Sequence, residues 1–192
     1  MFVTQYINMS NNLMNELEQF KTAYYSDNQK CAVFKAAQKH DLATKICSQF
    51  GQDELFKKSV YPIRDTNKVY IDYPVFKLFV NPSNYEAFVL YCQNIFNQTI
   101  QKHGTFECHI NLHGLTISAV ERHQRVIELF CADPSVRGGV EYTNYLTRAC
   151  IYNTPSIIDN IVNLLKRLLD PDIMKRLVRY TKGETPYQLS QL

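Results

Sequence analysis

TFECHINLHGLTISAVERHQRVIELFCADPSVRGGVEYTNYLTRACIY, residues 105–152, begins and ends on strand-like runs. TFECHINL (105–112) and LTRACIY (146–152) are rich in aromatic and β-branched residues, which suit a pleated surface. Between them, Ser118-x-x-Glu121 reads as a capping box opening a helix through Phe130. Two strands joined through a helix imply a parallel crossover. Upstream, KVYI (68–71) and VFKLFV (75–80) read as two more β-rich runs, separated by Asp72-Tyr73-Pro74. Asn81-Pro82-Ser83 opens a helix with Phe88, Val89, Cys92, Ile95 and Phe96 on its apolar side, closed by Gly104. Downstream, Asn153-Thr154-Pro155 ends the last long strand, and Pro155 suits the first turn of a helix over 156–169. Asp170-Pro171 breaks that helix and starts a short one before LVRY (177–180). This order predicts right-handed βαβ crossovers. The expected fold class is α/β, a small parallel-rich mixed sheet with helices on at least one face.

The first sixty residues read as helical. Leu13, Leu17, Phe20 and Tyr24 recur at helical spacing, as do Phe34 and Ala37, then Leu42, Ile46 and Phe50 before a stop at Gly51. The organisation expected is an N-terminal helical region, 1–60, packed on an α/β domain, 61–192, as one unit.

Composition narrows the class of function. The chain has 192 residues, 45% hydrophobic and 12% aromatic, enough to bury roughly 70% of its unfolded surface without a staple. Its 21 Lys+Arg against 18 Asp+Glu leave +3, which does not favour a nucleic-acid partner. No apolar run reaches membrane-span length. MFVTQYINMSNNLMNELEQF (1–20) lacks a signal-peptide layout, so a cytoplasmic location is expected. Cys31, Cys47, Cys92, Cys108, Cys131 and Cys150 form no CxxC pair and read as buried free thiols.

Catalytic and cofactor signatures are missing. There is no GxGxxG or Walker loop, since Gly138-Gly139 follows an Arg and lacks the remainder, and there is no G-x-S-x-G elbow. His109, His113 and His123 lie near Cys108, but their spacing is not that of ligands on one helix face. No metal and no cofactor is expected. Cys108 or Cys150 as nucleophile lacks a recognisable base. A hydrolase using His109 or Cys108 is the weakest reading, and no enzyme activity is expected.

Two features remain. The segment 156–169 carries Ile157, Ile158, Ile161, Val162, Leu164, Leu165, Leu168 and Leu169, apolar around most of a helix. Such a helix is either wedged in a core or covers a cavity and faces a membrane. Beside it lie Lys166, Arg167, Lys175, Arg176, Arg179 and Lys182. They form either a solvated face or a patch that an anionic membrane attracts, at about 1 kcal/mol per cation.

The parts ECHINLHGLTIS (107–118), YTNYLTRACIYNTPSIIDNIVNLLKRLLDP (142–171) and DIMKRLVRY (172–180) resemble, in order and spacing, the CRAL-TRIO lipid-binding domain, the fold of the yeast-type phosphatidylinositol transfer proteins. KVYIDYPVFKLFV (68–80) is similar to that family's first two strands. The resemblance implies a sheet flooring a hydrophobic pocket, closed by a gating helix at 156–169. It implies a lining of Phe106, Cys108, Ile110, Ile151, Ile157, Ile158, Ile161 and Leu165. It also implies headgroup or membrane contacts from Lys166, Arg167, Lys175 and Arg176. Asn111 stands where the family opens its turn with an acid, and Thr143-Asn144-Tyr145 replaces Pro-Glu-Arg. The partner so implied is a phospholipid or other hydrophobic ligand, with transient contact to an anionic membrane. A related branch, the BCH domains, keeps the fold for protein interaction, which implies a protein partner or homodimer instead.

Overall fold

The computed structural model describes residues 2–28, 35–131, 140–165, 167, 168 and 170–192, the side chains of 2–11 and Lys35 excepted. Cys31, Phe34, Gly138, Gly139, Lys166 and Leu169 therefore lie outside the described residues. Three helices come first: α1 (Phe2–Asp27), α2 (Lys35–Phe50) and α3 (Gln52–Ser59). Leu17, Tyr24, Leu42 and Ile46 are buried as their spacing predicts, whereas Ala37 faces solvent. Asp53 and Glu54 open α3 and Lys57 and Lys58 close it, an arrangement that complements the helix dipole.

The sheet follows. β1 (Val60–Pro62) runs antiparallel to β2 (Lys68–Asp72), and β3 (Phe106–Asn111), β4 (Leu146–Tyr152) and β5 (Leu177–Arg179) continue parallel to β2. Pro62 costs no ladder bond to a further strand, because β1 is at the edge. The spatial order is β1-β2-β3-β4-β5, the same as the chain order. Successive right-handed crossovers in one direction place their helices on one face. The core agrees: Val60, Val69, Phe106, Cys108, Leu146 and Ala149 join it from the sheet, while Tyr70, His109, Cys150 and Tyr152 do not. A register shift where Phe106 and Glu107 meet β4 leaves Thr147 unpaired, so that both Leu146 and Ala149 are buried.

Several expectations are corrected. VFKLFV (75–80) is not a strand: α4 (Tyr73–Phe79) takes up most of it, with Pro74 in its first turn. Proline there is preorganised for a helix, and Val75, Leu78 and Phe79 fall on one helical side, all buried. A short apolar run fits either period, and here the helix hides more of it. The next helix, α5 (Tyr85–His103), starts after Asn84 rather than at Asn81-Pro82-Ser83, and Gly104 closes it at φ 76 with its N–H donating to the Ile100 carbonyl at 2.7 Å. Ser118 is not the cap of the helix after β3. Thr116 Oγ1 accepts from the Ala119 N–H, and the helix is divided at His123 into α6 (Ile117–Arg122) and α7 (Gln124–Phe130).

After β4 come the remaining helices, the short α8 (Tyr142–Tyr145) having preceded that strand. The apolar helix is shorter than 156–169: α9 spans Ile158–Leu165, with 167 and 168 in a turn. Asp159, Asn160 and Asn163 are all exposed, so α9 has a polar side and an apolar stripe rather than an apolar circumference. Asp170 caps α10 (Pro171–Lys175) by accepting from the Asp172 N–H at 2.8 Å, and α11 (Thr185–Ser190) follows β5. Among the described residues no helix is long and apolar enough to cross a membrane.

Candidate functional site

Side chains on a strand alternate between faces, so Phe106, Cys108 and Ile110 share one. All three meet the core, Phe106 and Cys108 buried and Ile110 half-buried. Phe96 of α5 stacks on Phe106 at 5.0 Å, and Tyr142 meets both rings at 5.5 and 6.2 Å. The Tyr142 hydroxyl donates to Asn97 Oδ1 at 3.1 Å, fixing that ring. Phe106 and Cys108 are thus filled in by the protein's own side chains. Burial pushes the Cys108 thiol up to about 12, which removes the thiolate a nucleophile needs.

Ile110 lies further along, in register with Ile71 on one side and Ile151 on the other. This row sits near the carboxyl ends of the parallel strands. Its neighbour in β5 is Arg179, whose guanidinium donates to Asp159 in the first turn of α9 at 2.7 Å. That bond links the start of α9 to β5, next to Ile151. Ile158 and Ile161 are buried, Ile157 and Leu165 half-buried, and Leu164 is 45% exposed.

The basic residues divide in the same way. Arg176 donates through Nη1 to the Thr143 carbonyl and, at 2.6 Å, to the Leu146 carbonyl, tying the start of β5 to the end of α8. Lys175 is paired with Asp172 at 2.6 Å and exposed, and Arg167 is exposed. Lys166 lies outside the described residues.

The structure takes the histidines apart. His109 projects from the face opposite Cys108 and is 2% exposed. Its Nδ1 is 2.8 Å from the Tyr152 hydroxyl and its Nε2 3.1 Å from Glu107 Oε2. Burial lowers its proton affinity and Glu107 opposes that. A neutral ring donating to Glu107 and accepting from Tyr152 satisfies every group, which is the arrangement of a structural histidine. Among the described residues no three His, Cys, Asp or Glu groups are placed to hold a metal ion.

Sequence reasoning missed the layer around His109. Tyr152 stacks on His109 at 5.9 Å and on Tyr180 at 5.2 Å, and Tyr61 lies 5.4 Å from Tyr70. Arg148 donates to the Tyr180 hydroxyl at 2.9 Å. The signal was the period of two: positions 68, 70 and 72, 107, 109 and 111, and 148, 150 and 152 are aromatic, polar or Cys.

At the strand ends, the Asn111 amide donates to Asp72 Oδ1 at 3.1 Å, while its carbonyl accepts from Asn153 Nδ2 at 2.9 Å and from the His113 N–H at 3.1 Å. An acid at 111 would set two carboxylates together. Asn111→Asp is therefore expected to cost about 1–3 kcal/mol at neutral pH through a lost donor and like-charge repulsion. Urea unfolding at pH 7.5 measures it, and an unchanged midpoint would refute the bridge.

The sequence matches no protein-family model, and no curated protein is significantly similar to it.

Proposed function

We propose that this chain is a non-catalytic binding or transfer module for a phospholipid or other hydrophobic small molecule, with α9 and the turn after it as the gate. The supporting observation is the row Ile71, Ile110 and Ile151 near the strand ends, beside an amphipathic helix that buries Ile158 and Ile161 and exposes Leu164. The singly wound strand order offers no reversal point among the described strands, the place where such sheets hold nucleotides. Apolar contact supplies the affinity, and the exposed Arg167 and Lys175, the latter paired with Asp172, are the cations that would meet an anionic membrane.

Organic extraction and native mass spectrometry of the purified protein, with transfer between liposomes, test this reading. Ile110→Trp and Ile151→Trp should each displace two or three ligand methylenes, at about 0.8 kcal/mol apiece, and so cut transfer by about tenfold or more. A protein that extracts empty and transfers nothing would sink the proposal.

One observation favours a second reading. Phe96 and Tyr142 occupy the space over Phe106, as in a domain that keeps the fold for a protein partner after its pocket has closed. Failure of lipid capture together with self-association or partner capture selects that reading.

A further inference from the structure

Helix α4 places Lys77 on the side away from Val75 and Phe79, and its stem is half-buried. Its Nζ makes no hydrogen bond or ion pair among the described residues, and its recorded aromatic contact is the Tyr73 ring, 5.7 Å away. The ammonium lies against Gly114, in the loop that leaves β3. That glycine has φ +72, and a Cβ there would stand 3.1 Å from Nζ. Any larger residue would therefore be strained and would crowd the charge. Burial holds Lys77 below the ordinary lysine range, Lys21 of α1 and Arg122 of α6 adding to it against Glu18 and Asp72. Both carboxylates have other partners: Glu18 holds Lys21 at 2.8 Å, and Asp72 accepts from Asn111. Arg122 donates Nε to His123.

Partial burial costs an ammonium part of its hydration, and an anionic acceptor would restore it. We propose that Lys77 seats a phosphate-type oxyanion beside Gly114, near the carboxyl ends of β2 and β3. The anion supplies an acceptor that no side chain among the described residues gives Lys77. A lipid headgroup and a free phosphorylated molecule share this chemistry. The site rests on Lys77 and Gly114 rather than on the hydrophobic-ligand reading, and either can fail alone.

The test uses the full chain, titrated calorimetrically with inorganic phosphate and sedimented with phosphatidylcholine vesicles with and without phosphatidic acid. Lys77→Met should weaken phosphate or phosphatidic-acid binding by about tenfold or more, and Lys77→Arg should keep most of it. Lys77→Met should also melt at or above the wild-type temperature, because it removes an unpaired charge. Phosphate binding without vesicle binding identifies a soluble phosphorylated ligand, and phosphatidic-acid-dependent sedimentation identifies a headgroup. Wild-type protein that binds neither, Lys77→Met that binds as wild type, or a melting point lowered by more than about 5 °C overturns the site.

Discussion

Phe56→Ala is expected to lower the unfolding free energy by about 3–5 kcal/mol, the range for truncating a buried phenylalanine. Phe56 comes from α3, is 3% exposed, and meets Phe79, Phe88 and Tyr91 at 5.8, 5.3 and 5.6 Å. It therefore joins α3, α4 and α5 in one aromatic cluster. Tyr91 extends that cluster to the sheet by donating its hydroxyl to the Val60 carbonyl at 3.0 Å. The rings are held by different helices, so no single rotamer change closes the cavity. For a chain of this size each kcal/mol moves the melting temperature by about 2–4 °C, which gives a fall of about 6–20 °C. Differential scanning calorimetry reads it, with Leu90→Ala, at a position 58% exposed, as a control that should stay close to wild type. A fall of only a degree or two in Phe56→Ala would show that the three helices do not share a core.

The second large effect is acid sensitivity, and it comes from His123. This residue divides α6 from α7 and is buried against Phe76, ring to ring at 4.9 Å. Arg122 Nε donates to its Nε2 at 3.2 Å, so that nitrogen must be unprotonated. Its Nδ1 is 3.3 Å from the Tyr85 hydroxyl, which donates to the Arg122 carbonyl at 3.1 Å. Burial first, and the Arg122 charge second, push His123 down to about 3. The unfolded chain takes up the proton near the ordinary histidine value, while the folded protein refuses it until far lower. Stability from this residue is therefore complete above about pH 6.5 and drains away as pH falls toward 3, by at most about 1.4 kcal/mol per unit. At pH 5 the loss is about 2 kcal/mol. His109, lowered by its own burial, acts in the same direction. The lowered carboxylates Asp41 and Glu184 titrate below their ordinary values, so the interval from pH 6.5 to 5 isolates the histidines. Denaturant unfolding across that interval should show a slope that His123→Gln reduces. An unchanged slope in that variant would remove His123 as the cause.

The parts of the fold legible in the residues were those where one local rule acts alone. KVYI, TFECHINL and LTRACIY are strands because period and composition agree, and Gly104 ends α5 as a glycine should. The misread elements are those where two rules compete. VFKLFV has β composition but a helix-starting proline ahead of it. Thr116 and Ser118 are both good caps two residues apart, and backbone geometry chose the first. Face parity groups Phe106 and Cys108 with Ile110, and all three meet the same core, with Phe106 and Cys108 buried in it and Ile110 half-buried against it. The task of Arg176 could not be read locally, because its acceptors, Thr143 and Leu146, are some thirty residues away. Lys77 lies inside VFKLFV, whose β composition gives no hint of the helix that carries it.

The matching of spatial and chain order in the sheet bears on how the molecule is made. Each strand from β2 onward docks beside the one synthesised just before it. No early strand must hold an open gap until a distant partner is translated, and loop closure is confined to single crossover units. The growing sheet always presents one newest edge to the emerging chain, so the sheet can assemble in the direction of synthesis, with β5 docking after β4.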